Sequence, residues 1–253
     1  MTITSPFDLT DSLAVVTGAS RGIGAGIALG LAQAGADVVG VARGVQDATA
    51  DAVRDAGREY IPLAADLSTV EGVRKLVTSL DELGRPVDIL INNAGIAERA
   101  PAEEHTDEQW ASVVAVNLTA PFTLARELGA RMLDRGHGRI VFLASMMTWQ
   151  GGRNVVSYTA AKSGVAGIVH ALANEWAGRG VGVNAIAPGY IETELTSGSH
   201  GDPDRRAAFE ERIPAGRWGE PADIAGAAVF LASPAAAYVH GVVLPVDGGW
   251  LVR

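Results

Sequence analysis

The sequence predicts an α/β fold, a single doubly wound domain in which a mainly parallel, seven-stranded sheet carries helices on both faces. Three observations lead there. Short β-branched runs alternate with longer stretches of helical composition, the rhythm of successive βαβ units. The strand runs are apolar almost throughout, as strands covered on both faces must be. Finally, 253 residues with 48% hydrophobic side chains fill a substantial core, and no linker, low-complexity tract or charge run divides the chain.

The first strand, Leu-Ala-Val-Val-Thr at 13–17, runs into Gly18, Gly22 and Gly24 ahead of a helical stretch. Glycines at such a turn let the backbone and the helix N-terminus approach a pyrophosphate. Gly18, Ser20, Arg21, Gly22, Ile23 and Gly24 are therefore the candidate phosphate turn of a Rossmann-type domain. The same residues also satisfy G-x-S-x-G, the nucleophile elbow of a hydrolase, with Ser20 as nucleophile. That elbow is expected after several strands, and here it follows the first. The histidines at 105, 137, 170, 200 and 240 lie in no recognisable catalytic context and show no close metal-ligand spacing, so no metal site is expected.

The second strand, 37–42, ends in Ala42 and Arg43. A weaker third, 60–64, leads to Asp66 and Leu67, and the fourth, 88–92, to Asn93, Ala94 and Gly95. The fifth, 139–144, delivers Ser145, and a helix follows that carries Tyr158 and Lys162. The sixth, 181–187, delivers Pro188, Gly189, Ile191 and Thr193. The polar segment 192–221, punctuated by glycine and proline, is the natural candidate for a mobile substrate lid. The apolar run 224–239 is interrupted by Ser233 and Pro234 and reads as a buried helix and a turn, too short to span a bilayer. The seventh strand is 241–246. Most of these polar residues fall at strand carboxyl ends, the edge of a doubly wound sheet where ligands bind.

A formal charge of −9 argues against nucleic acid or an anionic membrane as partner, so any bound phosphate must be held locally. Without cysteine, disulfides, thiolate metal sites and cysteine nucleophiles are excluded. The first residues show neither a basic region nor a long apolar one, so no secretory signal is visible and a cytoplasmic location is expected.

Tyr158 and Lys162 are spaced i and i+4, which puts them on one helix face. A cation about 4 Å from the phenol, at an effective dielectric of about 20, favours phenolate by about 4 kcal/mol. Desolvation opposes that gain, yet the direction suits a general acid and base.

The set Thr17-Gly18-(x)3-Gly22-Ile23-Gly24, Asn92-Asn93-Ala94-Gly95, Asn117, Ser145, Tyr158-(x)3-Lys162 and Pro188-Gly189 resembles the short-chain dehydrogenase/reductase family over essentially the whole chain. The resemblance implies that Tyr158 exchanges a proton with the substrate oxygen while hydride passes to or from a nicotinamide. It implies that Ser145 orients that oxygen, that Lys162 lowers the phenol pKa and holds the nicotinamide ribose, and that Asn117 holds a relay water. Asp66 and Leu67 are placed at the adenine, Asn93, Ala94 and Gly95 at the adenosine ribose, and Pro188, Gly189, Ile191 and Thr193 around the nicotinamide. With Asn117, Ser145, Tyr158 and Lys162 all present, an active enzyme is favoured over a cofactor-sensing binding protein. A homotetramer is implied, with the apolar 224–246 region as one candidate interface.

Within that family, the strings at 150–177, 212–226 and the end of the chain resemble dehydrogenases that interconvert a secondary alcohol and a ketone on sugar acids such as 2-deoxy-D-gluconate or 2-dehydro-3-deoxy-D-gluconate. The 3-oxoacyl carrier-protein reductases are the alternative. A carboxylate substrate calls for an arginine fork, and Arg99 and Arg153 are the candidates. For the cofactor, an NAD site places Asp or Glu near the end of the second strand. Here Ala42 stands there, followed by Arg43, and Arg21 adds a second cation in the glycine turn. Two arginines suit a 2′-phosphate, so NADP(H) is favoured over NAD(H).

Overall fold

Two of the seven strands carry a proline inside the strand, and their places in the sheet follow from it; a third only ends on one. The strands are β1 (Leu13–Thr17), β2 (Asp37–Ala42), β3 (Tyr60–Ala64), β4 (Ile89–Asn92), β5 (Gly138–Leu143), β6 (Val181–Pro188) and β7 (Val243–Val246). In this computed structural model, which describes residues 5–196 and 203–253, they lie in the order β3-β2-β1-β4-β5-β6-β7. Every neighbouring pair is parallel. Proline cannot donate to the ladder and belongs at a sheet edge. Pro62 lies in β3 and Pro245 in β7, the two edge strands. The central strands β1, β4 and β6 are buried along their whole length.

The helices are α1 (Gly22–Gln33), α2 (Asp47–Asp55), α3 (Val70–Glu82), α4 (Asp107–Val114), α5 (Ala120–Arg135), α6 (Val156–Trp176), α7 (Pro203–Arg212) and α8 (Pro221–Ala232). One face of the sheet is covered by α1, α2 and α8 through Ile27, Leu31, Val53, Ile224 and Leu231. The other is covered by α3, α5 and α6 through Leu76, Leu80, Leu124, Leu128 and Val169. Close approach of α1 to α8 requires small residues, since a Cβ at Gly30 would lie 2.8 Å from the Ala225 Cβ. The predicted buried helix and turn after residue 221 is α8, closed by the buried Ser233 and a short 3-10 turn from Pro234.

A third apolar cluster lies apart from both faces. Met146, Ile213, Trp218 and Trp250 form its buried centre, with Tyr190, Phe209 and Leu251 packed against them. Most of it is built from the segment proposed from sequence as a lid, 192–221, and from the end of the chain. Residues 197–202 of that segment lie outside the described residues. Its far end returns to β6, where Ile191 and Gly219 make a short parallel bridge. Among the described residues, no helix is long and apolar enough to cross a membrane.

Candidate active site

The chain order reverses between β1 and β4, and in open α/β sheets ligands bind at such a switch point. Here a bracket of hydrogen bonds joins the two strand ends. The Asn93 and Ala94 amides each donate to Thr17 Oγ1 at 3.0 Å. The Asn93 side chain donates to the Thr17 carbonyl at 2.8 Å and reaches the Gly18 carbonyl at 3.3 Å. The glycine turn fits under this bracket only without side chains. A Cβ at Gly24 would fall 2.1 Å from the Gly18 carbonyl oxygen, and Gly18 itself has φ +69°. This is a backbone cradle of the kind that admits a pyrophosphate.

The other wall comes from the carboxyl end of β6. The Gly189 amide donates to the Val246 carbonyl at 3.0 Å, and Asp247 leaves no room for a Cβ at Gly189. Thr193 then comes over the turn, its Cγ2 being 3.3 Å from where a Gly22 Cβ would stand. Beside it Arg21, expected free for a phosphate, forms an exposed 2.7 Å ion pair with Glu194. Arg43 is exposed, and its charge helps hold the Asp66 carboxyl below its usual range, after two hydrogen bonds from Ser68 to the same carboxylate oxygen at 2.9 and 2.7 Å. Ile23 and Leu67 face inward as packing residues.

Ser145 follows β5, and its side chain accepts from the Met147 amide at 3.2 Å, which fixes the hydroxyl at the strand end. Tyr158 stands in the first turn of α6, where the Ser145 hydroxyl acts on its phenol. Burial raises the Tyr158 phenol above its ordinary pKa, opposed by the Ser145 hydrogen bond and by the charge of Arg99. Lys162 is 5% exposed, and desolvation pulls its ammonium down to about 8. Its Nζ donates to the Leu143 carbonyl at 2.5 Å and lies 5.6 Å from the centre of the Tyr158 ring. The i, i+4 spacing thus brings the two side chains together as expected, with the ammonium bonded to a strand-end carbonyl and facing the ring.

Asn117 sits in a π-helical turn, Ala115–Thr119, between α4 and α5. Its side chain is engaged in both directions with Ile96, accepting from the amide and donating to the carbonyl, each at 2.9 Å. That pairing pins the stretch after Gly95.

A family model described as enoyl-(acyl carrier protein) reductase matches residues 18–251. The chain belongs to the short-chain dehydrogenase/reductase family. A 2-dehydro-3-deoxy-D-gluconate 5-dehydrogenase from Pseudoalteromonas atlantica is 48% identical over 250 residues, covering 98% of each chain. Among solved structures, a Beutenbergia cavernae protein described as an NAD(P) dependent gluconate 5-dehydrogenase, with NADP bound, is 52% identical with a TM-score of 0.95, covering 98% of this chain and 100% of its own. An Agrobacterium tumefaciens protein described as a 2-deoxy-D-gluconate 3-dehydrogenase, also with NADP, is 49% identical with a TM-score of 0.93, covering 99% of this chain and 100% of its own. A 3-oxoacyl-[acyl-carrier-protein] reductase of Vibrio harveyi is more distant, at 39% over 242 residues, 96% of this chain and 98% of its own.

Family membership decides against the hydrolase reading of Ser20, which lies in the glycine turn. Of the two substrate arginines expected from sequence, Arg99 acts on the phenols of both Tyr158 and Tyr190. Arg153 is exposed and makes no ion pair or side-chain hydrogen bond among the described residues. The two loops meet nonetheless, the Ala100 amide donating to the Asn154 carbonyl at 3.1 Å. Sequence reasoning missed the aromatic wall: Tyr190 and Trp250, with ring centres 4.7 Å apart, and Arg212, stacked on Trp250 at 3.7 Å. These positions share no periodicity or spacing, and only the β6 and β7 strand ends bring them together.

Proposed function

We propose that this chain is an NADP(H)-dependent oxidoreductase that interconverts a secondary alcohol and a ketone on a small sugar acid such as 2-deoxy-D-gluconate or 2-dehydro-3-deoxy-D-gluconate. The observation that carries the reading is the Ser145–Tyr158 hydroxyl pair, with buried Lys162 beside it, on the same sheet edge as the glycine cradle. Its support in substrate class is the full-length likeness to proteins named as sugar-acid dehydrogenases.

When bound, the nicotinamide gives or takes the hydride. The chain's own residues do the rest. Ser145 donates to the substrate oxygen and turns it toward Tyr158, which supplies the proton in reduction and removes it in oxidation. Lys162, lowered to about 8, is close enough to neutral pH to return a proton toward the phenol, and with a ribose as partner it would exchange its bond to Leu143. Asn117 contributes through the backbone of its π turn, since its side chain holds Ile96. Gly18, Ser20, Gly22, Ile23 and Gly24 form the pyrophosphate cradle. Asp66 and Leu67 border the adenine, Asn93 to Gly95 the adenosine ribose, and Pro188, Gly189, Ile191 and Thr193 the nicotinamide.

The preference for NADP(H) rests on Ala42 standing where an acid would repel a 2′-phosphate, with Arg43 exposed beside it. Arg21 joins it by giving up Glu194. Segment 192–221 is read as the substrate lid. A cytoplasmic homotetramer completes the reading, supported by Trp110 and Phe122, large apolar side chains 43% and 38% exposed on α4 and α5. Light scattering after gel filtration measures the assembly.

The decisive experiment follows the nicotinamide absorbance band over a panel of sugar acids, neutral polyols and a short 3-oxoacyl thioester, with each cofactor. The sugar acids should give the highest kcat/KM, with NADP(H). A wide margin for the thioester would put the chain among the acyl reductases.

A further inference from the structure

We infer that Arg212, stacked on Trp250, and Arg99 form a two-cation receptor for the carboxylate of the substrate; this deepens the sugar-acid reading and rests on it. The inference begins with the company Arg212 keeps. Two other arginines of the same segment are neutralised: Arg206 pairs with Glu192 and Glu210 at 2.6 and 2.8 Å, and Arg217 with Asp223 at 2.7 Å. Arg212 pairs with no carboxylate among the described residues, and its guanidinium carbon lies over the Trp250 ring, 3.7 Å from the ring centre. A stacked guanidinium keeps its in-plane N–H donors for a planar anion, which is the geometry of bidentate carboxylate recognition.

The shelf beneath it is rigid and is joined to the reacting centre. Trp250 is 3% exposed, and its Nε1 donates to Gln150 Oε1 at 3.0 Å, anchoring it to the turn that follows Ser145. Tyr190, the residue after Gly189, packs its ring edge-on against Trp250 with centres 4.7 Å apart. Met146, next to Ser145, belongs to the same cluster. Arg99 is brought toward the same shelf by its neighbour: the Ala100 amide donates to the Asn154 carbonyl at 3.1 Å, in the loop whose Gln150 holds Trp250, and the charges of Arg212 and Arg99 both lower the Tyr190 phenol against the effect of burial. In a chain with a net charge of −9, such a local pair is what an anionic substrate requires. A neutral polyol gains nothing from it.

The test compares D-gluconate with a neutral polyol, D-threitol, in the wild type, Arg212→Gln and Arg212→Lys. Charge-assisted hydrogen bonds of this kind make the expected fall in the gluconate-to-threitol ratio of kcat/KM about ten- to hundredfold in Arg212→Gln, carried mainly by KM. Arg212→Lys should recover part of the ratio, because it restores charge without the stacked fork. NADP affinity and thermal midpoint report on folding, and Trp250→Leu, which removes the shelf and leaves the charge, is the second variant should Arg212→Gln fold poorly. An unchanged ratio, or an equal loss on both substrates, overturns the receptor. Calorimetric titration of D-gluconate into the NADP-loaded enzyme separates the two levels of inference. Binding that depends on Arg212 without turnover sinks the sugar-acid dehydrogenase reading and keeps the receptor. Turnover indifferent to Arg212 sinks the receptor and keeps the reading. Neither binding nor turnover sinks both.

Discussion

The half of the cleft proposed for the cofactor and the half proposed for the substrate are built by different means. Around the glycine turn the positions are set by backbone: Gly18 and Gly24 have no room for a side chain, and Thr17 and Asn93 hold main-chain groups. Around Trp250 they are set by large side chains that meet across three separate segments, Phe209 and Trp218, Tyr190, and Trp250 itself. A backbone cradle binds what the whole family shares and tolerates almost no change. An aromatic shelf of side chains can be re-cut by single substitutions without disturbing the backbone beneath it.

The largest expected effect lies on the seam between the halves. Tyr158→Phe removes one oxygen and should lower kcat by about a hundred- to ten-thousandfold while NADP binding and thermal midpoint stay near wild type. A folded variant with near-normal turnover would end the role given to the phenol. Next comes the rigidity of the cradle. Gly24→Ala, whose Cβ meets the Gly18 carbonyl oxygen, should cost about 3 kcal/mol of stability and most of the NADP affinity. Phe209→Leu should weaken substrate use and spare the cofactor. If calorimetry finds both variants equally impaired in NADP binding, the division into two halves is wrong.

Lys162 tests the seam through pH. In the folded chain its pKa is about 8 against an ordinary 10.5, so between those values the unfolded chain binds more protons and stability rises with pH. The rise is worth up to about 3 kcal/mol. Tyr60, pushed up to about 12 by burial, acts in the opposite sense once unfolded tyrosines begin to ionise. Urea unfolding at about pH 8 and about pH 10 should therefore show the Lys162 slope in wild type and its absence in Lys162→Met. The smallest effect is selectivity within the cradle. Arg43→Ala should reduce the NADP-to-NAD ratio of kcat/KM about tenfold, and Ala42→Asp should push it further toward NAD. A wild-type preference for NAD that survives both changes would show that the end of β2 was misjudged.

The same division decides what could be read from sequence. The first three strands begin and end where their apolar runs do, because both faces of each run are covered or its proline marks an edge. The seventh starts two residues later than its composition suggests. Gly241 has φ +74°, and the Val242 amide is taken by the buried Asn184 side chain at 3.0 Å, so pairing begins only at Val243. Ser145, Tyr158 and the glycines were legible because local spacing and a strand end determine them. Arg212 and Trp250 were not, since their meeting depends on where two distant segments leave the sheet. Nor was the ion pair that occupies Arg21, because its partner Glu194 lies beyond β6.

The bond between the Asn93 amide and Thr17 spans 76 residues of chain. A ribosome delivers the N-terminal side first, so the glycine turn leaves the exit tunnel long before its brace has been made. Until residue 93 is out and β4 has docked on β1, the turn is held from one side only, by the Gly18 and Ala19 amides donating to the Val41 carbonyl and by the Thr49 hydroxyl donating to the Ala19 carbonyl. The full cradle is therefore complete only after that second closure, when the chain from 17 to 93 has come together.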